Sequence, residues 1–192
     1  MDSATNYTIT EISALGEPLE PIKAAKIFIK QCGVMVRDRI PITVREWHKP
    51  KGAEASEYVA ERYKDGLWND LMAHFTLPEY EDDADTAALR EKVKDWALKK
   101  MAELFRQWKK TLWQKYQKTN TAPKFEGYLA KRQPYWDAFV EYKESEDAKN
   151  KSAKNKINVG KKKYHHHLGT GGYAAAMPKW DKKEAEPLAK GI

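Results

Sequence analysis

Residues 82–118 read DDADTAALREKVKDWALKKMAELFRQWKKTLWQKYQK, and no glycine or proline occurs between Pro78 and Pro123. Leu89, Val93, Trp96, Ala97, Met101, Leu104, Phe105, Trp108, Leu112 and Tyr116 recur at steps of three and four, the spacing of one helix face. Acids gather at the start (Glu81, Asp82, Asp83, Asp85), and Lys109, Lys110, Lys115 and Lys118 lie toward the end. That order complements the helix dipole, whose amino end is positive. The spacing predicts one long central helix over about 82–118, about 55 Å at 1.5 Å per residue. The protein is therefore expected to be mainly α. A helix this long exceeds one small core, so part of its apolar face is expected to pack on a second subunit as a homodimer.

Working outward from that helix, Ser56 to about Thr76 also carries a helical pattern. Ser56 is a candidate cap, and Tyr58, Val59, Tyr63, Leu67, Leu71 and Phe75 fall close to one face. Ile22 to Met35 has helical spacing at Ile22, Ala25, Ile29 and Cys32, closed by Gly33. The partial alternation of Val34, Val36, Ile40, Ile42 and Val44 permits a short extended or β segment near residues 34–44, confined to an edge by Pro41. A competing signal, Thr43-Val44-Arg45-Glu46, has the form of a capping box that would start a helix carrying Trp47. Residues 1–22 hold acids but no Lys or Arg, and Gly16, Pro18 and Pro21 break them; they are expected to form a flexible acidic arm. Beyond the break at Thr119–Pro123, Phe125 and Tyr128 suggest a packed turn. Pro134 is placed for the first turn of a helix with Trp136, Phe139 and Val140 inward. The expected organisation is an arm at 1–22, a helical domain at 23–175 with a basic segment at 149–167, and a flexible tail at 176–192.

Seven Trp, ten Tyr and five Phe within a 41% hydrophobic chain supply enough large apolar surface for a true core. The net charge of +7 points to an anionic partner without bearing on the fold. Cys32 is the single cysteine, so an internal disulfide and a cysteine-based zinc site are excluded; it reads as a small core residue in a reducing compartment. No apolar run approaches the ~20 residues that cross a bilayer, so no membrane partner is expected. The first residues lack the basic and apolar regions of a secretory signal.

The basic segment carries the functional signal. Lys149, Lys151, Lys154, Lys156, Lys161, Lys162 and Lys163 fall within fifteen residues, with no acid until Asp181. His165, His166 and His167 extend the segment. Lysines neutralise phosphates and release counterions, which gives strong, sequence-tolerant binding. Asn150, Ser152, Asn155 and Asn158 interleave them and no Arg is present, which favours backbone contact over guanine readout. DNA is the expected partner, with Lys149, Lys151, Lys154 and Lys156 along one border of a helix. A solvated tail or a nuclear-import signal would use the same lysines.

Other constellations carry less. Adjacent histidines cannot all reach one tetrahedral ion, so no metal is expected at His165–His167. Gly169-Thr170-Gly171-Gly172 lacks the spacing of a phosphate-cradling loop and reads as a tight turn before Tyr173. The acids from Glu79 to Asp85 are contiguous, whereas two-metal nuclease chemistry draws carboxylates from separate elements. Trp96, Trp108 and Trp113 read as core, with Trp113 off the main face. No nucleophile–base pair can be assembled, so neither catalysis, a cofactor nor a small-molecule substrate is expected. The alternative to DNA binding is a protein-interaction module built on the long helix.

The order of several blocks resembles the plant transposase family associated with Ptta/En/Spm (CACTA) elements, a module without the catalytic acidic triad. Those blocks are Ile40-Pro41-Ile42 with Trp47, and Leu67-Trp68-Asn69-Asp70-Leu71 with Phe75. Phe105-Arg106-Gln107-Trp108-Lys109 with Tyr116 follows, then Pro134-Tyr135-Trp136 with Phe139-Val140. The last two, Ser152-Ala153-Lys154-Asn155-Lys156 and His167-Leu168-Gly169-Thr170-Gly171-Gly172-Tyr173, are the most specific. The resemblance spans about residues 30–175, and Val159 departs from it where an arginine-type residue is expected. It implies an origin in mobile-element proteins, a plant source and nuclear residence, and supplies no reaction.

Overall fold

The computed structural model describes residues 6–52 and 57–161. The chain divides into two compact units, Met1–Lys143 and Glu144–Ile192. The first contains α1 (Ile22–Arg39), α2 (Glu61–Met72), α3 (Asp83–Thr119), a 3₁₀ helix (Gly127–Tyr135) and α4 (Trp136–Glu144), which ends at the unit boundary. Four short strands accompany them: β1 (Tyr7–Thr8), β2 (Glu11–Ile12), β3 (Pro18–Glu20) and β4 (Phe75–Thr76). β1 pairs parallel to β4, and β2 pairs antiparallel to β3. The second unit contributes α5 (Glu146–Gly160). The protein is mainly helical, with one long central helix.

α3 forms where the three- and four-residue steps place it. The Asp82 carboxylate accepts from the amide of Ala84 at 2.6 Å, and Asp83 and Asp85 occupy the first turn. These acids satisfy and complement the positive helix end. At the far end Asn120 adopts a left-handed conformation, φ 48°, which Asn tolerates and which stops the helix.

Two apolar clusters line α3. The first gathers Val93, Ala97, Met101 and Phe105 with Phe28, Cys32 and Val36 of α1 and Leu67 and Leu71 of α2. The second joins Ile42, Phe125, Trp136 and Phe139, with Trp108, Leu112, Trp113 and Tyr116 of α3 packed against it. Trp136 lies at its centre, with ring centroids 5.6 Å from Tyr116, 6.0 Å from Phe125 and 5.4 Å from Phe139. The length that suggested a second subunit is thus covered from within the chain. No large apolar side chain of α3 is exposed.

Four expectations differ from the structure. Residues 7–20 are not an arm: Tyr7 donates to His74 O and Ile9 to Thr76 O, both at 2.9 Å, and Ile9 is wholly buried. Inward Tyr7 and Ile9 alternate with outward Thr8 and Thr10, a strand period masked by the acids and turn residues around it. Residues 34–39 continue α1, because Phe28, Cys32 and Val36 repeat at the helical interval and outweigh the alternation. The helix ends at Arg39, since Pro41 disfavours the α conformation at Ile40, which is extended at ψ 125°. No helix starts at Thr43; Glu46 instead bridges to Tyr58, and Trp47 packs on the first cluster. Ser56 lies outside the described residues, and α2 begins only at Glu61. That register leaves Tyr63 exposed and buries Lys64, whose Nζ donates to Glu61 Oε1 at 2.6 Å.

Arg132 ties the 3₁₀ helix to the end of α1. It is buried, and its Nε and Nη2 donate to Arg37 O at 3.1 and 2.9 Å, with Asp38 O as a further acceptor. The last carbonyls of a helix have no partner within it, and a guanidinium supplies several donors in one plane. Cys32 is fully buried, and burial pushes its thiol up to about 12, so it stays protonated and unreactive.

Two glycines separate backbone need from convenience. Gly16 has φ +88°, and a Cβ there would stand 2.3 Å from Lys92 O of α3. Gly66, inside α2, has open space around it. Gly16→Ala is expected to lower stability by about 2 kcal/mol or more. Gly66→Ala is expected to raise it by about 0.5–1 kcal/mol. Urea denaturation midpoints of the two variants against the parent chain check both signs.

Candidate nucleic-acid interface

α5 opens at Ser145, whose Oγ accepts from the amide of Ala148 at 3.3 Å. Glu146 and Asp147 fill its first turn, so the helix starts with a hydroxyl cap and two charges favoured by the dipole. Beyond them the helix buries no residue. Polar and charged residues make up most of it, and its two large apolar side chains, Ile157 and Val159, are exposed. Its surface is open to a partner.

Lys149, Lys151, Lys154 and Lys156 lie on α5 and Lys161 directly follows it, all of them exposed. They do not share one border. At ~100° per residue, Lys149 and Lys156 fall on one side and Lys151 and Lys154 on the opposite side. The physical reason is the two-residue step from Lys149 to Lys151, which crosses the helix. Lys149 Nζ lies 3.6 Å from Glu146 Oε1, and Lys151 Nζ lies 3.5 Å from Asp147 Oδ2. Such exposed pairs contribute about 0.3–0.5 kcal/mol and yield readily to a stronger anion. Lys154, Lys156 and Lys161 have no partner among the described residues. Lys162, Lys163 and His165 lie outside the described residues, as do the His165–His167 run and the Gly169–Tyr173 turn.

One cationic cluster escaped the sequence reading. The sequence places Lys109 among the charges that complement the end of α3, yet its Nζ turns inward, donating to Val44 O at 2.6 Å and lying 4.5 Å from the Phe105 ring centre. It holds the 41–47 loop against α3. Arg45 of the same loop stacks over Tyr142 at 4.4 Å and pairs with Glu57 at 2.7 Å. Burial, joined by the positive charge of Lys143 and opposed by Glu46, holds the Lys109 ammonium down at about 8. Burial also lowers Lys143. The signal was available: Lys109 follows Phe105 by four residues, and so shares its side of the helix.

Among the described residues no group of three His, Cys, Asp or Glu side chains gathers in a form that could hold a metal ion. Among the described residues no helix is long and apolar enough to cross a membrane. Compared with known proteins, the chain matches no family model, no curated protein and no solved structure.

The buried Lys109 gives stability a pH dependence. The unfolded chain keeps that proton up to about 10.5, whereas the folded one releases it near 8. Between these values the unfolded state binds more protons, so folding is favoured increasingly as pH rises from about 8 to 10.5. Lys109→Met is expected to remove that portion of the rise. Denaturation midpoints of parent and variant, taken at half-unit pH steps across the window, should converge on differing slopes rather than run parallel.

Proposed function

We propose that this is a non-catalytic DNA-binding protein of transposon origin, in which α5 contacts the phosphate backbone. The observation that carries the proposal is that α5 buries none of its residues while exposing Lys149, Lys151, Lys154 and Lys156. Nothing in the first unit's core or strands calls for such a helix. Lysines on two sides suit a helix lying between two phosphate rows, where each side meets one row. The absence of arginine on α5 makes the contact tolerant of sequence. Ion pairing of Lys149 and Lys151 with acids of the first turn tempers the charge in the free protein without removing it. The resemblance of the Ser152–Lys156 and His167–Tyr173 blocks to plant CACTA-associated transposases supports the mobile-element origin, and nuclear residence follows from a DNA partner.

The test is duplex binding by fluorescence anisotropy across a salt series. Each neutralised phosphate contributes about 0.9 to the slope of log affinity against log salt. Lys151→Glu, Lys154→Glu and Lys156→Glu together are expected to lower that slope by about 2 to 3 and to weaken binding at least tenfold. Circular dichroism should show the first unit unchanged. A variant that binds duplex DNA with the parent's affinity and salt slope would sink the reading.

A further inference from the structure

The second half of α3 presents a surface unlike any other on the first unit. Its outward residues are Arg106, Gln107, Lys110, Thr111, Gln114, Lys115, Gln117 and Lys118, all exposed. They come as neighbouring pairs every three to four residues, so they fill about half the helix circumference at ~100° per residue. The other half is the wall of the second apolar cluster, formed by Trp108, Leu112, Trp113 and Tyr116. No Asp or Glu occurs between Glu103 and Glu126.

Arg106, Lys110, Lys115 and Lys118 have no acidic partner among the described residues. Elsewhere on the unit several cations are neutralised: Lys94 by Asp65 at 2.9 Å, Arg39 by Asp70 at 2.8 Å and Lys131 by Asp38 at 2.7 Å. α1 also exposes Lys23, Lys26 and Lys30, but among Ile22, Ile27 and Ile29. The α3 band contains no apolar side chain at all.

We propose that this band is a second nucleic-acid contact, independent of α5, that lies along a groove of duplex DNA. A protein partner would need apolar or aromatic anchors at the centre of the interface, and the band offers none. Four cations alternating with amides and a hydroxyl match a row of phosphates and base edges. From Arg106 to Lys118 the band runs about 18 Å at 1.5 Å per residue. Duplex DNA carries one charge per ~1.7 Å of axis, so four cations never lack a phosphate in reach. A helix of ~10–12 Å diameter fits the ~12 Å major groove of B-form DNA, whereas the deep, narrow major groove of A-form RNA excludes it. Arg106 adds a bidentate guanidinium that α5 lacks, and the three glutamines stand on a helix whose other half is fixed by packing, so sequence preference resides on α3.

The experiment compares four full-length chains by anisotropy on one B-form duplex across a salt series. These are the parent, the α5 triple variant above, an α3 variant (Arg106→Ala, Lys110→Ala, Lys115→Ala, Lys118→Ala), and the combination. The α3 variant is expected to weaken binding at least tenfold and to lower the salt slope by about 3.6, at ~0.9 per contact. The combined chain should lose both increments. Should the alanine set fail to fold, glutamine at the same four positions gives the same readout. An α3 variant with parental affinity and slope overturns the inference and leaves the α5 reading standing. Loss on α3 with no loss on α5 does the reverse. Tighter binding of an A-form RNA duplex through the same four residues, or equal competition by polyglutamate, also overturns the assignment to DNA.

Discussion

Val93, Ala97, Met101 and Phe105 form the line on which the first unit is assembled, and the spacing of that line decides what surrounds it. A four-residue step advances about 40° around an α-helix beyond a full turn. The inner edge of α3 therefore turns slowly as it runs. α1 and α2 cover its first part through Phe28, Cys32, Val36, Leu67 and Leu71. The edge then steps to Trp108, Leu112 and Tyr116, where the 3₁₀ helix region and α4 supply Phe125, Trp136 and Phe139. Trp108 packs against both clusters, which makes one continuous apolar spine out of two small cores. A helix of 37 residues is stable here because each stretch of its apolar side has its own cover.

Cations, rather than apolar groups alone, lock the loops to that spine. Lys109 reaches Val44 O from α3, and Arg132 reaches the carbonyls that end α1. They span 65 and 95 residues of sequence, joining segments that no strand pairing connects. A buried charge loses its water, and bonds to carbonyl oxygens return part of that loss. For Lys109 the return is incomplete, which is why its proton is held less tightly than in water. Arg132 meets several acceptors at once through its planar fork, a geometry a lysine could not reproduce. Gly16 completes the clamp on the other side, bringing the 13–17 turn directly onto the backbone of α3 at Lys92.

The parts legible in the sequence were those governed by one period over a long run. α3 was readable to within a residue at each end because Asp82 caps it and nothing interrupts its repeat. Trp136 and Phe139 announced the inward face of α4, although Pro134, expected in its first turn, lies in the preceding 3₁₀ helix. Short elements were not readable, since two or three residues carry too little period to outweigh composition. Tyr7-Thr8 shows this: its strand exists because β4 offers a parallel edge at Phe75-Thr76, a long-range fact absent from local pattern. Val34 and Val36 belonged to both a strand-like and a helix-like series, and the core contact of Phe28, Cys32 and Val36 decided between them. The lysines of α5 were found by their charge, and their distribution over two sides was legible as well, since a two-residue step crosses any helix.

The two proposed surfaces differ in chemistry, and the difference suggests a division of work. The cations of α5 are ammonium groups without a guanidinium, on a helix that buries none of its residues. Ammoniums act as point charges, so they add affinity and salt dependence while distinguishing little between sequences. The α3 band combines one guanidinium, three ammoniums and three carboxamides on a helix whose opposite half is anchored in aromatic packing. Base readout requires donors and acceptors held at a fixed distance from the groove floor, which a well-packed helix provides and a solvated one does not. Affinity from α5 and discrimination from α3 would then be separable properties of one chain. Charge on α5 should govern how fast the protein finds DNA, through long-range attraction that salt suppresses. Side-chain identity on α3, and above all Arg106 with Gln107 and Gln114, should govern where it stays.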